Sequence, residues 1–333
     1  MSWLRPHRRR AGTSTTEQGW SPEEVHSLED AVARAPSVHN TQPWELTTSD
    51  RTALLRERPD VALEQHDPEG RDRRLSCGAA VTNLFLGVRA LGWAALVRRW
   101  PEESESDDPR LVATVKATHR QQPSVSEGQR FRAITRRTSY RKPFHEQQLP
   151  HVAREALLAA GNSAEVHARW ITGLEEARTL AEILGYAARV HRKDRHYQRE
   201  LAMWLVDGQG GVDPGGGIAS EDLGNGGVAA VGLVGPSSRL PDERHLAEWI
   251  ANESIMVLTT STDDPAAHFR AGEAMQFAWL TATSLGLAAS VITQPLNLTE
   301  VRAGLLDRLG LPGPPHALLR FGYPVPVPTQ RRF

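Results

Sequence analysis

Three short stretches concentrate the side chains that could do chemistry. Residues 36–44, PSVHNTQPW, crowd two prolines, four uncharged polar side chains, a histidine and a tryptophan into nine positions. Such a run is either a turn or a surface built to hold something. Residues 136–144, RRTSYRKPF, set Arg136, Arg137 and Arg141 beside the hydroxyls of Thr138 and Ser139. Three permanent charges and two donors are what a phosphate needs for charge-assisted bonding, although a solvated basic bend has the same composition. Residues 286–297, GLAASVITQPLN, run small side chains past a helix end. That spacing lets a flat ligand touch backbone N–H groups, and tight packing of two elements would produce it equally well.

Several other chemistries find no support in the residues. Neither G-x-S-x-G nor H-E-x-x-H occurs, and HEQQLPH spaces its histidines six apart across a proline, off one helix face. His191 and His196, five apart in HRKDRH, read as a wet, charged helix surface rather than a metal pair. The single cysteine, Cys77, excludes an intrachain disulfide framework and a cysteine-based zinc cluster, and is expected to be a small buried residue. No metal site is expected. Eleven glycines lie between Gly208 and Gly235, but they lack the Gly-Lys-Ser/Thr ending of a phosphate loop. Residues 201–238 are expected to hold no rigid element and to form a lid or linker.

The elements that must position these stretches are partly legible. Ser21, Pro22 and Glu24 make a capping box with proline in its preferred first helical place, so a helix is expected from there to Ala35, where Pro36 stops it. Strands are expected at 44–48, 61–66 and 111–117, and a helix at 76–91. Sliding the chain on itself by 194 positions lays residues 78–97 on 272–291 with eight of 20 identical, from Gly78/Gly272 to Val97/Val291. In each copy a helix ends at a glycine suited to the left-handed position after its last turn. Helix ends are rich in Ala, Leu and Gly in any protein; the other account is a duplication, with two similar α+β halves facing each other in one chain like a dimer.

The bulk composition narrows the partners. With 333 residues, 39 Lys+Arg and 40 Asp+Glu, the net charge is −1, so no global field draws the chain to nucleic acid or anionic lipid. No apolar run approaches the roughly 20 residues that span a bilayer. Residues 1–20 read as a mobile tail without a secretory signal, and the profile is cytoplasmic.

APSVHNTQPW, RRTSYRKPF, GLAASVITQP and LRFGYP, in this order, resemble the motifs of the flavin-dependent nitroreductase superfamily, and more closely its Acg-type branch of fused halves. The resemblance covers about residues 21 to 333. It implies an α+β nitroreductase-like fold, with a first half at 21–125 and a second at 126–333 forming an internal pseudo-dimer, hence a monomer. It implies one FMN site at the junction of the halves and one degenerate site. By motif, Arg136, Arg137, Thr138 and Arg141 would hold the phosphate and ribityl chain, while Ser37, His39 and Asn40 would reach across to the ribityl and ring. Backbone at Ser290 and Val291 would lie beside the reactive ring nitrogen, and Arg331 would add charge at the phosphate. RRTSYR carries one residue more than the family's R-R-S-x-R, leaving Tyr140 or Arg141 for the last basic place. The implied activity passes hydride from NADH or NADPH through FMN to a nitroaromatic, quinone or similar small acceptor, with no catalytic acid or base required of the protein. The alternative is an FMN-sequestering protein whose lid prevents turnover.

Overall fold

The computed structural model describes residues 19–99, 108–206, 217–220, 223 and 226–325. The chain enters through α1 (Pro22–Ala33), whose start is the expected capping box: Ser21 Oγ accepts from the Glu24 N–H at 3.2 Å and Glu24 Oε2 accepts from the Ser21 N–H at 2.9 Å. It ends two residues before Ala35, because the last turn tightens and the Ala35 N–H bonds back to the Val32 carbonyl.

A hairpin follows, β1 (Trp44–Ser49) with β2 (Thr52–Glu57), turning at Asp50 in the left-handed region. This corrects the strand expected at 61–66. Pro59 lacks a donor and opens a short 3-10 turn, Pro59–Val61, and the tight hairpin has already supplied the partner of β1. The long helix α2 (Arg71–Ala90) starts five residues before the expected boundary, after Gly70 in a left-handed conformation, and leads to β3 (Trp93–Arg99) and β4 (Leu111–Arg120). Two helices, α3 (Val125–Ile134) and α4 (His151–Gly161), connect to the second sheet.

That sheet begins with β5 (Val166–Trp170). Then come α5 (Gly173–Lys193), α6 (Arg195–Trp204), the two-residue strands β6 (Leu205–Val206) and β7 (Ile218–Ala219), and α7 (Glu243–Asn252). It is completed by β8 (Ser254–Thr260), α8 (Pro265–Ser284), β9 (Ala288–Ile292), α9 (Thr299–Arg308) and β10 (Pro315–Gly322).

Both four-stranded sheets are antiparallel and share one topology. Their orders, β1-β2-β4-β3 and β5-β8-β10-β9, place first, second, fourth and third strands side by side, with a 20-residue helix between second and third. Those helices, α2 and α8, start and end 194 positions apart and pack on each other. A Cβ at Gly78 would strike the Phe269 carbonyl oxygen, and one at Gly272 would strike the Leu75 carbonyl oxygen. Gly92 and Gly286, at φ 81° and 77°, terminate the two copies. One apolar cluster, including Leu84, Val115, Trp279 and Leu319, joins α2 and α8 to both sheets, and a second fills the space between α5, α7, α9 and the outer face of the second sheet. Cys77 is fully buried, and burial pushes its thiol up. Among the described residues no helix is long and apolar enough to cross a membrane.

Candidate functional site

A pocket lies where residues 36–76 meet residues 139–294. Ser37 and His39 line it with Asp72 and Ser76 of α2, as do Ser139, Arg141, Ser290, Val291 and Gln294, with Trp279 of α8. The roof is Ile218, Ala229, Gly232 and Leu233, all from the described part of the glycine-rich segment. The expectation that this segment holds no rigid element needs correction. Its described part contains β7 and a buried 3-10 turn, Val228–Val231, and Ile218 and Leu233 share a small apolar cluster with Tyr197 and Leu201 of α6.

The Pro36 turn is held in a costly conformation. His39, Asn40 and Gln42 have φ of 48°, 57° and 46°, which costs roughly 1–2 kcal/mol for each non-glycine residue. Side chains compensate: Ser37 Oγ accepts from the Gln42 N–H at 3.0 Å, Ser76 Oγ from the Val38 N–H at 3.3 Å, and Thr41 Oγ1 donates to the Val38 carbonyl at 2.9 Å. A turn needed only for chain reversal would not require this.

The arginine stretch runs beside the edge of β9, where the Tyr140 N–H donates to the Ala289 carbonyl at 2.9 Å. Its members then separate. Arg141 is on the pocket wall. Tyr140 is not a wall residue: its hydroxyl donates to the Pro143 carbonyl at 3.3 Å and accepts from the Val325 N–H at 3.0 Å. The Arg137 guanidinium lies 4.7 Å over the Trp279 ring, behind the wall. Burial, then the charge of Arg141, lower it to about 10. Arg136 and Thr138 are exposed and off the pocket, Arg136 lining a groove between α1 and α3. Asn40 is not a wall residue either. Arg331 lies outside the described residues, as do residues 1–18 of the expected tail.

Ser290 has a defined hydroxyl. Arg320, fully buried and paired with Glu253 at 2.6 and 2.7 Å, donates to Ser290 Oγ at 3.0 Å. The serine proton is thereby directed to another acceptor.

Sequence reasoning missed Asp72, Ser76, Trp279 and Gln294. Asp72 Oδ2 accepts from Thr293 Oγ1 at 2.7 Å and Gln294 Nε2 at 2.8 Å, tying α2 to the segment that follows β9 at the pocket. Burial pushes the Asp72 carboxyl up, and burial followed by the charge of Asp72 raises Asp67 beside it. An earlier start for α2 would have set Asp72 in its first turn. His191 is also a correction: it is buried, with Nε2 3.3 Å from the Gln294 carbonyl. The chain turns at Asp194, which caps α6 and leaves only His196 on the wet surface.

Asp263, His268 and His316 bring ligand-type atoms within 4.8 Å of one another. The buried Arg71 guanidinium already stands 2.5 Å from Asp263 Oδ1 and 3.3 Å from His268 Nε2. This is an ion-pair network joining α2 to the second half, and a metal there would meet a fixed cation.

The profile of the nitroreductase family matches residues 242–323. The chain is 32% identical over 327 residues to the "Putative NAD(P)H nitroreductase Rv3131" of Mycobacterium tuberculosis, covering 93% of this chain and 89% of that one. It is 28% identical over 315 residues to the acg protein of the same organism, covering 90% and 88%. A solved nitroreductase with bound FMN from Bacteroides fragilis is similar over 59% of this chain and 88% of its own, at 19% identity and a TM-score of 0.37. The chain belongs to the nitroreductase family, with Acg-type proteins among its relatives.

Proposed function

We propose that this protein is an FMN-dependent NAD(P)H oxidoreductase of nitroreductase type that reduces nitroaromatic, quinone or similar small acceptors. One observation carries the reading: a pocket assembled from both halves, with Arg141 on its wall and unpaired buried polar atoms around it. Among the described residues, Trp279 Nε1 and Gln294 Oε1 have no hydrogen-bond partner. Such atoms call for a ligand. A donor, an acceptor and the Arg141 guanidinium suit a polar heteroaromatic ring carrying a phosphate.

When bound, FMN supplies the two-electron relay between nicotinamide and acceptor. The chain's own residues bind and orient. Arg141, supported by Arg137, neutralises the phosphate, and Arg136, Thr138 and Asn40 are at most peripheral to it. Ser37, His39 and the Ser290 hydroxyl engage the ribityl chain and ring, beside the backbone of Ser290 and Val291. Ile218 and Leu233 exclude water.

In this reading residues 21–125 and 126–333 are fused counterparts of two nitroreductase subunits. The shared strand order and the reciprocal contacts of Gly78 and Gly272 support it. The protein then acts as a cytoplasmic monomer without nucleic-acid or membrane partners. Light scattering that finds an obligate dimer would count against the fusion.

The roof favours a second reading, FMN sequestration without turnover, since the Gly217 N–H donates to the His39 carbonyl at 3.1 Å and ties the segment to the pocket-lining turn. The absorption spectrum of the purified protein before and after anaerobic NADH or NADPH decides between them. Bleaching, then reoxidation by a nitroaromatic, supports the enzyme. Bleaching only after residues 208–235 are shortened supports sequestration. A colourless protein that takes up no FMN overturns both.

A further inference from the structure

His39 lines the pocket, yet among the described residues only one of its ring nitrogens is bonded. Its Nε2 lies 2.6 Å from Nδ1 of His66, a residue with no exposed surface. On the far side His66 Nε2 is 2.9 Å from the Tyr197 carbonyl. A carbonyl can only accept, so His66 Nε2 carries a hydrogen.

Whether His66 is neutral then decides everything upstream. Burial holds it below the ordinary histidine range; the Tyr197 carbonyl, Glu200, Gln294 and Asp194 pull the other way without overcoming it. Its other neighbours are the Tyr197 ring, stacked at 3.8 Å, and His39 itself. His39 is lowered further, by burial first, then by His66 and by the Arg141 guanidinium. Two adjacent imidazoles without a cation can close a 2.6 Å contact only with one hydrogen between them. With His66 Nε2 already protonated, His66 Nδ1 is a lone pair, and the shared hydrogen belongs to His39 Nε2. His39 Nδ1 is left as a lone pair. Among the described residues it has no partner, and it is not one of the buried unpaired atoms, so its opening is to the pocket.

The geometry points to His66 as a positioning residue that fixes the proton of His39 on Nε2, so that His39 Nδ1 accepts an O–H or N–H of the bound cofactor. A ribityl hydroxyl or a ring N–H satisfies that atom; a phosphate or bare carbonyl oxygen is repelled by it. The ligand's identity rests on the flavin reading, whereas the location of the proton does not. His66 lies in the segment where a strand was expected, so nothing in its spacing marked it.

The test is side-chain 1H–15N correlation on protein labelled with 15N-histidine near neutral pH, without and then with FMN. The ligand-free spectrum is expected to show His39 and His66 both neutral and both protonated on Nε2. On FMN addition the His39 Nδ1 signal should move toward the protonated value as it accepts a hydrogen bond. A His39 protonated on Nδ1, or on both nitrogens, overturns the assignment, and so does FMN uptake that leaves Nδ1 unmoved. Failure to take up FMN overturns the cofactor reading and the ligand half of this one, while the ligand-free spectrum still decides the tautomer. His66→Phe keeps a ring against Tyr197 but removes both nitrogens. It should mix the His39 tautomers and weaken FMN about fivefold, the worth of one ordinary hydrogen bond. An unchanged tautomer with unchanged affinity in that variant would also overturn the proposal.

Discussion

Gly78 and Gly272, 194 positions apart, each rest on the backbone of the other's helix: Gly78 against the Phe269 carbonyl, Gly272 against that of Leu75. Backbone cannot swing aside as a side-chain end can. Gly78→Ala or Gly272→Ala should therefore cost about 3 kcal/mol or more in urea unfolding, the upper range for overpacking. Gly304→Ala in α9 is the control. Its Cβ would meet Ile183 Cδ1 at an ordinary 3.7 Å, so the gain in helix propensity should stabilise by about 0.5–1 kcal/mol.

The arginine stretch makes a sharper prediction than its composition did. Arg141 is on the pocket wall and Arg136 is not. Arg141→Ala should weaken FMN about 10- to 100-fold, the range for a lost charged hydrogen bond. Arg136→Ala should change it less than about threefold. Quenching of flavin fluorescence on titration measures both.

Acid should act through His191. Burial lowers it to about 4 in the folded protein, while the unfolded chain keeps the ordinary value near 6.5. Between those two values the unfolded state binds more protons, so stability falls as pH drops from about 6.5 to about 4. His191→Gln keeps a donor near the Gln294 carbonyl and cannot titrate. The difference in unfolding free energy between wild type and variant should shift against the wild type by up to about 3 kcal/mol across that window, followed by chemical denaturation at each pH.

Arg320 and Glu253 form a bidentate pair under Ser290. Removing one charge strands the other in the interior. Glu253→Gln should cost about 3–5 kcal/mol, read as a lowered thermal midpoint, whereas Glu248→Gln, at an exposed pair with Arg244 on α7, should cost less than about 1 kcal/mol.

What the sequence made legible was local or repeated. The Ser21 box, the helix-ending glycines and the 194-residue offset state their geometry within a few residues or by self-comparison. The polar pocket stretches were recognisable because Ser37, His39 and Arg141 sit in dense runs. Asp72, His66 and His191 were not, because their partners are 221, 131 and 103 positions away. A buried polar residue satisfied across such distances looks, in sequence, like an ordinary surface residue. The start of α2 was missed for a related reason: Arg71 and Asp72 look solvated until Asp263 and Thr293 are folded against them.

The matched helices also show how the two ends of the repeat have parted. At the 194-residue offset the wall residues Asp72, Ser76 and Trp279 correspond to Ala266, Arg270 and Phe85, and Arg270 is paired with Glu165 at 2.9 Å. In a protein of two identical subunits, one codon writes both copies of a site, so neither can change alone. Here every wall position is written once. On the proposed reading of two fused counterparts, such a chain is free to sharpen one cavity for its ligand while spending the equivalent positions on ion pairs and packing that no ligand needs.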